Sequence, residues 1–148
     1  MEGMLKKYLD EICDVLNFER ESVRLAVNGD CISANWMFHE GTYRLYGFGN
    51  LIASFQLTQL PGCCAYVVST GSYISVPYRK RGLGTILNNF RIDIAKHLGY
   101  TAIICTDLDN NVPQRKILEK NGWKDVHSLT NKRTDNFLHL TIKDLNEK

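Results

Sequence analysis

One change of pattern constrains this chain more than any other feature. From Ser22 to Val76 the apolar residues come in short β-branched and aromatic runs, whereas Leu83, Ile86, Leu87, Phe90 and Ile94 recur at helical spacing. Only Pro77-Tyr78-Arg79-Lys80-Arg81-Gly82 separates the two patterns, and Gly99 stands where a left-handed helix cap belongs. The apolar run Thr101–Thr106 then reads as a buried strand. A strand, a helix and a second strand joined this tightly predict a right-handed crossover that lays the helix across a sheet.

The flanking segments complete the plan. Leu5, Tyr8, Leu9, Ile12 and Leu16 share one helical face, so the chain opens with an amphipathic helix. Ser22–Val27, Ile32–Phe38, Tyr43–Phe48 and Leu51–Thr58 read as strands, punctuated by turn residues such as Gly49-Asn50. Cys63–Val76 reads as another extended stretch, with Gly71 marking a bulge or bend. A second helix is entered at Asn111, with Pro113 in its first turn and Gln114 placed for a capping box, and it stops near Asn121-Gly122. Trp123–His127 and Phe137–Ile142 finish the chain as strands. The expectation is a single domain over 1–148, of mixed α/β (α+β-like) class.

Composition excludes several classes of function. Apolar residues make up 44% and charged residues 23%, ordinary for a globular protein. A net charge of +2 gives no whole-chain argument for nucleic acid, so any basic surface has to be local. The five cysteines include no Cys-x-x-Cys spacing, and no metal site is expected. No apolar run is long enough to cross a bilayer, and the acidic N-terminal stretch resembles no targeting peptide. A reducing, cytoplasmic setting is expected, with Cys105 as a small buried apolar residue.

The joint itself suggests chemistry. The first turn of a helix presents unpaired N–H groups and the positive end of the helix dipole, which together attract phosphate. Gly82 and Gly84 leave those amides approachable, Arg79, Lys80 and Arg81 add charge, and Thr85 adds a hydroxyl. The Walker pattern is absent, and the third glycine of a dinucleotide fingerprint is replaced by Leu87. Read blandly, the segment is a basic turn that caps a helix.

Val76-Pro77-x-Arg79-x-x-Gly82-x-Gly84-x-x-Leu87 resembles the acetyl-CoA signature of the GNAT superfamily of N-acetyltransferases. Asn111-x-x-Gln114-x-x-x-Leu118-x-x-x-Gly122-Trp123 is similar to that family's second block. The resemblance covers about residue 63 to the C-terminus. It implies a GNAT fold, a mostly antiparallel and splayed central sheet flanked by helices. It further implies an acyl-CoA-dependent N-acyltransferase that moves an acetyl group from acetyl-CoA to a primary amine. The loop from Arg79 to Thr85, Leu83 included, would hold the pyrophosphate; the backbone of Ile74, Ser75 and Val76 would pair with the pantetheine arm. Asn111 and Arg115 would also face the donor. Two departures stand out: the position of the family's frequent Tyr acid is Leu118, and no carboxylate lies in 63–76 where a Glu base is usual.

Substitutes for that acid and base are Tyr73 and Ser72 on the preceding strand, then His39, Glu40, Asp107 and Asp109. The acceptor is expected to be a small-molecule or protein amine. Lys132 and Arg133, in the turn between the last two strands, leave nucleic acid open as a partner, and Trp36 and Phe38 could stack on a base. A base-modifying acyltransferase and a catalytically inactive GNAT-fold binding protein are the alternatives, and a homodimer is also open.

Overall fold

The computed structural model describes residues 2–19, 23–27, 30–31 and 41–146. Helix α1 (Glu2–Leu16) leads into strands β1 (Val23–Val27), β2 (Asp30–Cys31), β3 (Gly41–Gly47), β4 (Asn50–Gln59) and β5 (Tyr66–Ile74). A 3-10 turn (Val76–Tyr78), helix α2 (Leu83–His97) and strand β6 (Ala102–Leu108) follow. Helix α3 (Val112–Lys120) and the hairpin β7 (Lys124–Thr130) and β8 (Phe137–Asp144) close the chain. The described strands form one sheet in the order β2-β1-β3-β4-β5-β6-β8-β7, and among them only the β5–β6 pair is parallel. The mixed α/β class expected from the pattern, and the mostly antiparallel sheet that the resemblance implies, are the ones found. The expected strand Ile32–Phe38 lies outside the described residues.

Two irregularities shape the middle of the sheet. Ser54 pairs with Tyr73 and Gln56 with Thr70, so Gly71 and Ser72 of β5 oppose the single residue Phe55. This is a bulge, and Gly71 carries the positive φ of 64° that only glycine adopts at low cost. Beyond it, β5 and β6 part. Their ladder runs only from Tyr66↔Ala102 to Ser69↔Cys105, although β5 continues to Ile74 and β6 to Leu108. The strand expected over 63–76 is therefore shorter at both ends, because Leu60, Cys63 and Thr101 close a turn through backbone hydrogen bonds before Tyr66.

The core explains why the helices sit where they do. Leu5, Tyr8, Ile12 and Leu16 of α1 and Leu83, Leu87, Phe90 and Ile94 of α2 are all buried. Tyr8 stacks on Phe90 with ring centres 4.7 Å apart, and Tyr43 of β3 stacks on Phe55 of β4 at 4.9 Å. Each such side chain contributes roughly 1.5–3 kcal/mol by leaving water. Helix α2 stops as its sequence demands: Gly99, at φ 89°, turns the chain so that its N–H bonds Lys96 O and that of Tyr100 bonds Ala95 O.

Candidate functional site

A cleft of about 500 Å³ opens between the end of β5, the first half of α2 and the start of α3. Its mouth is the joint singled out above. Lys80 (φ 63°) and Gly82 (φ 87°) both adopt left-handed conformations, which curl the chain tightly into α2. For lysine that conformation costs about 1 kcal/mol or more, the kind of strain that accumulates at functional loops. Gly82 is the N-cap of α2 and supplies no side-chain hydrogen bond, and the first turn contains no acidic residue. Its leading N–H groups and positive dipole end are left to whatever enters the cleft.

The two glycines serve different purposes. A Cβ on Gly82 would meet nothing within 4 Å, so its backbone conformation is what requires glycine. A Cβ on Gly84 would stand 2.8 Å from Ile117 Cδ1, so its smallness lets α3 pack against the first turn of α2. Gly84 thus acts partly through helix packing, beyond the amide access inferred from the sequence.

Arg79 is partly committed within the protein. Its Nε donates to Ile74 O at 2.8 Å, tying the loop to the end of β5, and its guanidinium lies 5.8 Å from the centre of the Tyr73 ring. Ser75 is an anchor: its N–H bonds Ile52 O at 2.7 Å and its hydroxyl bonds Leu51 O at 2.6 Å.

Helix α3 begins differently. Asn111 Oδ1 accepts from Gln114 N at 3.4 Å, so this N-terminus is capped from within. The expected capping box is only half made, because Asn111 N–H bonds Leu108 O and Gln114 borders the cleft. Arg115 turns away from the cleft. Its two terminal nitrogens bond Asp107 Oδ2 at 2.9 Å and Asp125 Oδ2 at 2.8 Å, clamping α3 to β6 and β7. Arg115, expected from the sequence to face the donor, has its charge held by two carboxylates. Asp107 also accepts from Thr141 at 2.9 Å, and Asp109 lies 2.7 Å from His139 Nε2. Both carboxylates bind the fold together, and neither borders the cleft.

The floor of the cleft was not legible in the sequence. Asn88 and Arg91, one turn apart on α2, are 2% and 3% exposed. Arg91 donates to Asn88 Oδ1 through Nη2 at 3.0 Å and Nε at 3.3 Å, and to Ser69 Oγ through Nη1 at 3.0 Å. The guanidinium also lies 4.9 Å from the centre of the buried Trp123 ring. Among the described residues no carboxylate pairs with Arg91, and burial lowers its pKa from the usual arginine value. Burial likewise pushes the nearby Cys105 thiol up to about 11, so it stays protonated and packs as an apolar group, as expected.

Of the residues proposed from the sequence, the cleft brings together Ser72, Tyr73, Ile74, Arg79, Lys80, Gly82, Leu83, Gly84, Thr85 and Asn111. Ser75, Val76, Arg81 and Arg115 do not border it. His39, Glu40, Trp36 and Phe38 lie outside the described residues. Tyr78, Gln114 and Ile117 border the cleft without having been singled out for it. Lys132 and Arg133 sit in an exposed turn held by Asn131, whose side-chain oxygen accepts from Arg133 N at 2.9 Å. Among the described residues no group of His, Cys, Asp and Glu is arranged to hold a metal ion. No helix among them is long and apolar enough to cross a membrane.

A sheet that splays beside an uncapped helix start offers a phosphate-bearing ligand a place to rest. The sequence matches the Acetyltransferase (GNAT) family over residues 10–123, and the chain belongs to that family. No curated protein matches the sequence. Among solved structures, a GNAT family acetyltransferase from Elizabethkingia anophelis with acetyl-CoA bound aligns with a TM-score of 0.66 at 12% identity, over 84% of this chain and 99% of that one. The structure of yncA from Salmonella typhimurium with its cofactor acetyl-CoA aligns at 0.64 and 13% identity, over 95% and 86%. Spermidine N-acetyltransferase from Vibrio cholerae, in complex with CoA and spermine, aligns at 0.62 and 16% identity, over 72% and 66%. At these identities the likeness is one of fold, and it agrees with the GNAT architecture expected from the motifs.

Proposed function

We propose that this protein is an acyl-CoA-dependent N-acyltransferase with acetyl-CoA as its donor and an amine as its acceptor. The observation that carries the reading is the open N-terminus of α2, reached through a basic, left-handed loop and lying beside the gap between β5 and β6. The residues fit a CoA donor. Lys80 and the first-turn amides of α2 offer charge and donors to a pyrophosphate, and the glycine at 82 keeps the approach open. Past the bulge, Ser72–Ile74 no longer pair with β6, so the backbone of Ser72 and Tyr73 is open on that side to an amide-rich arm, while Ile74 O already accepts from Arg79. A thioester supplies an activated acyl carbon, and the protein contributes positioning and fixed dipoles.

The acceptor follows the family's chemistry: a primary amine, from a small molecule or a protein. The cytoplasmic setting belongs to the same proposal. Tyr73 and Ser72 border the cleft and remain the candidates for proton transfer, whereas Asp107 and Asp109 are engaged elsewhere.

Calorimetry with acetyl-CoA and with desulfo-CoA tests the donor site: both are expected to bind, with affinity falling as salt rises. No heat at millimolar ligand would sink the reading. A panel of polyamines, amino acids and peptides, followed by release of free CoA thiol, then separates an enzyme from a binding protein.

A further inference from the structure

The floor of the cleft carries a positive charge that no carboxylate among the described residues pairs with directly. The guanidinium of Arg91 uses three of its five N–H groups on Asn88 Oδ1 and Ser69 Oγ, both uncharged. Accepting from two arginine nitrogens fixes the orientation of the Asn88 amide, so its Nδ2 points the other way. That nitrogen is buried and has no hydrogen-bond partner among the described residues. A buried guanidinium without a carboxylate, next to a buried amide donor without an acceptor, is costly in an apolar interior. Donors without acceptors at the bottom of a ligand cleft call for an anionic or strongly accepting ligand atom.

Position says which atom. Ser69 pairs with Cys105 in the last rung before β5 and β6 separate, so Arg91 sits at the apex of the gap. Arg91 follows Gly82 by nine residues, about 13 Å along the axis of α2. The loop residues at the mouth are exposed, while Asn88 and Arg91 are almost fully buried. A donor whose pyrophosphate rests on the open end of α2 therefore directs its thioester toward this pair. When the acceptor nitrogen bonds to the acyl carbon, the carbon–sulfur bond breaks and its electron pair stays on sulfur. The amine proton leaves to solvent or a base. The negative charge created at this end of the cleft is a thiolate.

We infer that Arg91, oriented by Asn88 and Ser69, stabilises the departing CoA thiolate through charge and hydrogen bonding, so that no proton donor is needed at the sulfur. The inference rests on the acyl-CoA reading above. It accounts for Leu118, which is buried in the core and has no proton to give. The other groups that face Arg91 are few. Asp107 of β6 acts on it through its charge, the neutral thiol of Cys105 lies near it, Ser69 and Asn88 bond it, and Trp123 packs beneath it. Asp107 is already bonded by Arg115 and Thr141.

The test reads the ionisation of bound CoA by thiolate absorbance as pH is raised. An opposite charge within contact lowers an ionisation by about one to three units, so the bound thiol is expected that far below free CoA in the wild type. Asn88→Asp keeps the acceptor of Arg91 but puts a carboxylate on the guanidinium, and is expected to abolish the shift without loosening the fold. Arg91→Met is expected to abolish it too and Arg91→Lys to keep part of it. All three should leave desulfo-CoA affinity little changed. Turnover of Arg91→Met should fall about 100-fold with a similar KM for the donor. If wild type, Asn88→Asp and Arg91→Met titrate the bound thiol alike, the inference is overturned. It is also overturned if Arg91→Met instead loses a preference for acyl groups ending in a carboxylate, which would assign the charge to the acyl chain. Failure of CoA to bind the wild type would overturn the acyl-CoA reading itself.

Discussion

Two helices begin at this cleft, and they begin in opposite ways. Helix α3 satisfies its own start: Asn111 caps it, and Arg115 ties its first turn to Asp107 and Asp125. Helix α2 leaves its start open behind a strained loop, with no cap and no acid in the first turn. A self-satisfied helix end adds stability to the folded protein alone, whereas an open one reserves the same donors and dipole for a ligand. The contrast separates the wall that holds the cleft from the end that does the holding.

The largest expected effect comes from closing the open start. Gly82→Asp sets a carboxylate against the N-terminal dipole, where a charge is worth up to about 2 kcal/mol. CoA affinity is expected to fall about 10- to 30-fold by calorimetry, and the left-handed φ of 87° adds a backbone cost of about 1–2 kcal/mol in unfolding. A variant that binds CoA as tightly as the wild type would remove the open start of α2 from the donor site. Opening the closed start should do the reverse: Asn111→Ala is expected to cost about 1 kcal/mol in urea unfolding, and Asn111→Gly only a few tenths.

Gly84 lies between the two helices and sharpens the comparison. Gly84→Ala forces its Cβ on the end of the Ile117 side chain, and is expected to destabilise by about 1 kcal/mol. Ile117→Val removes the opposing methyl, so the double variant should recover most of that loss. A double-mutant cycle without coupling would mean that the glycine is needed for the ligand rather than for α3.

The smallest effect is a pH dependence confined to α3. The hydrogen bond from Arg115 holds the Asp125 carboxyl below the ordinary carboxylate range. A depressed folded value adds stability that is full above the unfolded pKa of about 3.9 and is lost as pH falls through the lower folded value. Hydrogen exchange of α3 amides is expected to quicken over that acid window in the wild type and to change less in Asp125→Asn. Asp125 is exposed enough for solvent to screen the pair, so the difference should be small.

Local rules carried much of the fold. The period of Leu83–Ile94 gave α2, Gly99 its end, Gly71 a bulge and Asn111 a cap, because each depends on neighbours a few residues away. The site was legible to the same depth: a basic loop with two glycines between strand and helix named the mouth of the cleft. The two ion pairs of Arg115 were not legible, because its sequence position at the start of α3 says nothing of Asp125, ten residues on, or of Asp107 on the preceding strand. Asn88 and Arg91 gave no signal, since a polar pair one turn apart on an amphipathic helix usually faces water.

The sequence by itself determined the order of elements, the loop that opens α2 and the side chain that caps α3. These are short-range matters of backbone sterics, periodicity and hydrogen bonding. Only the tertiary structure decided which charges remain for a ligand. Ion pairing and burial depend on what the parting of β5 and β6 leaves at its apex, and there, among the described residues, no carboxylate bonds Arg91 while Arg115 receives two.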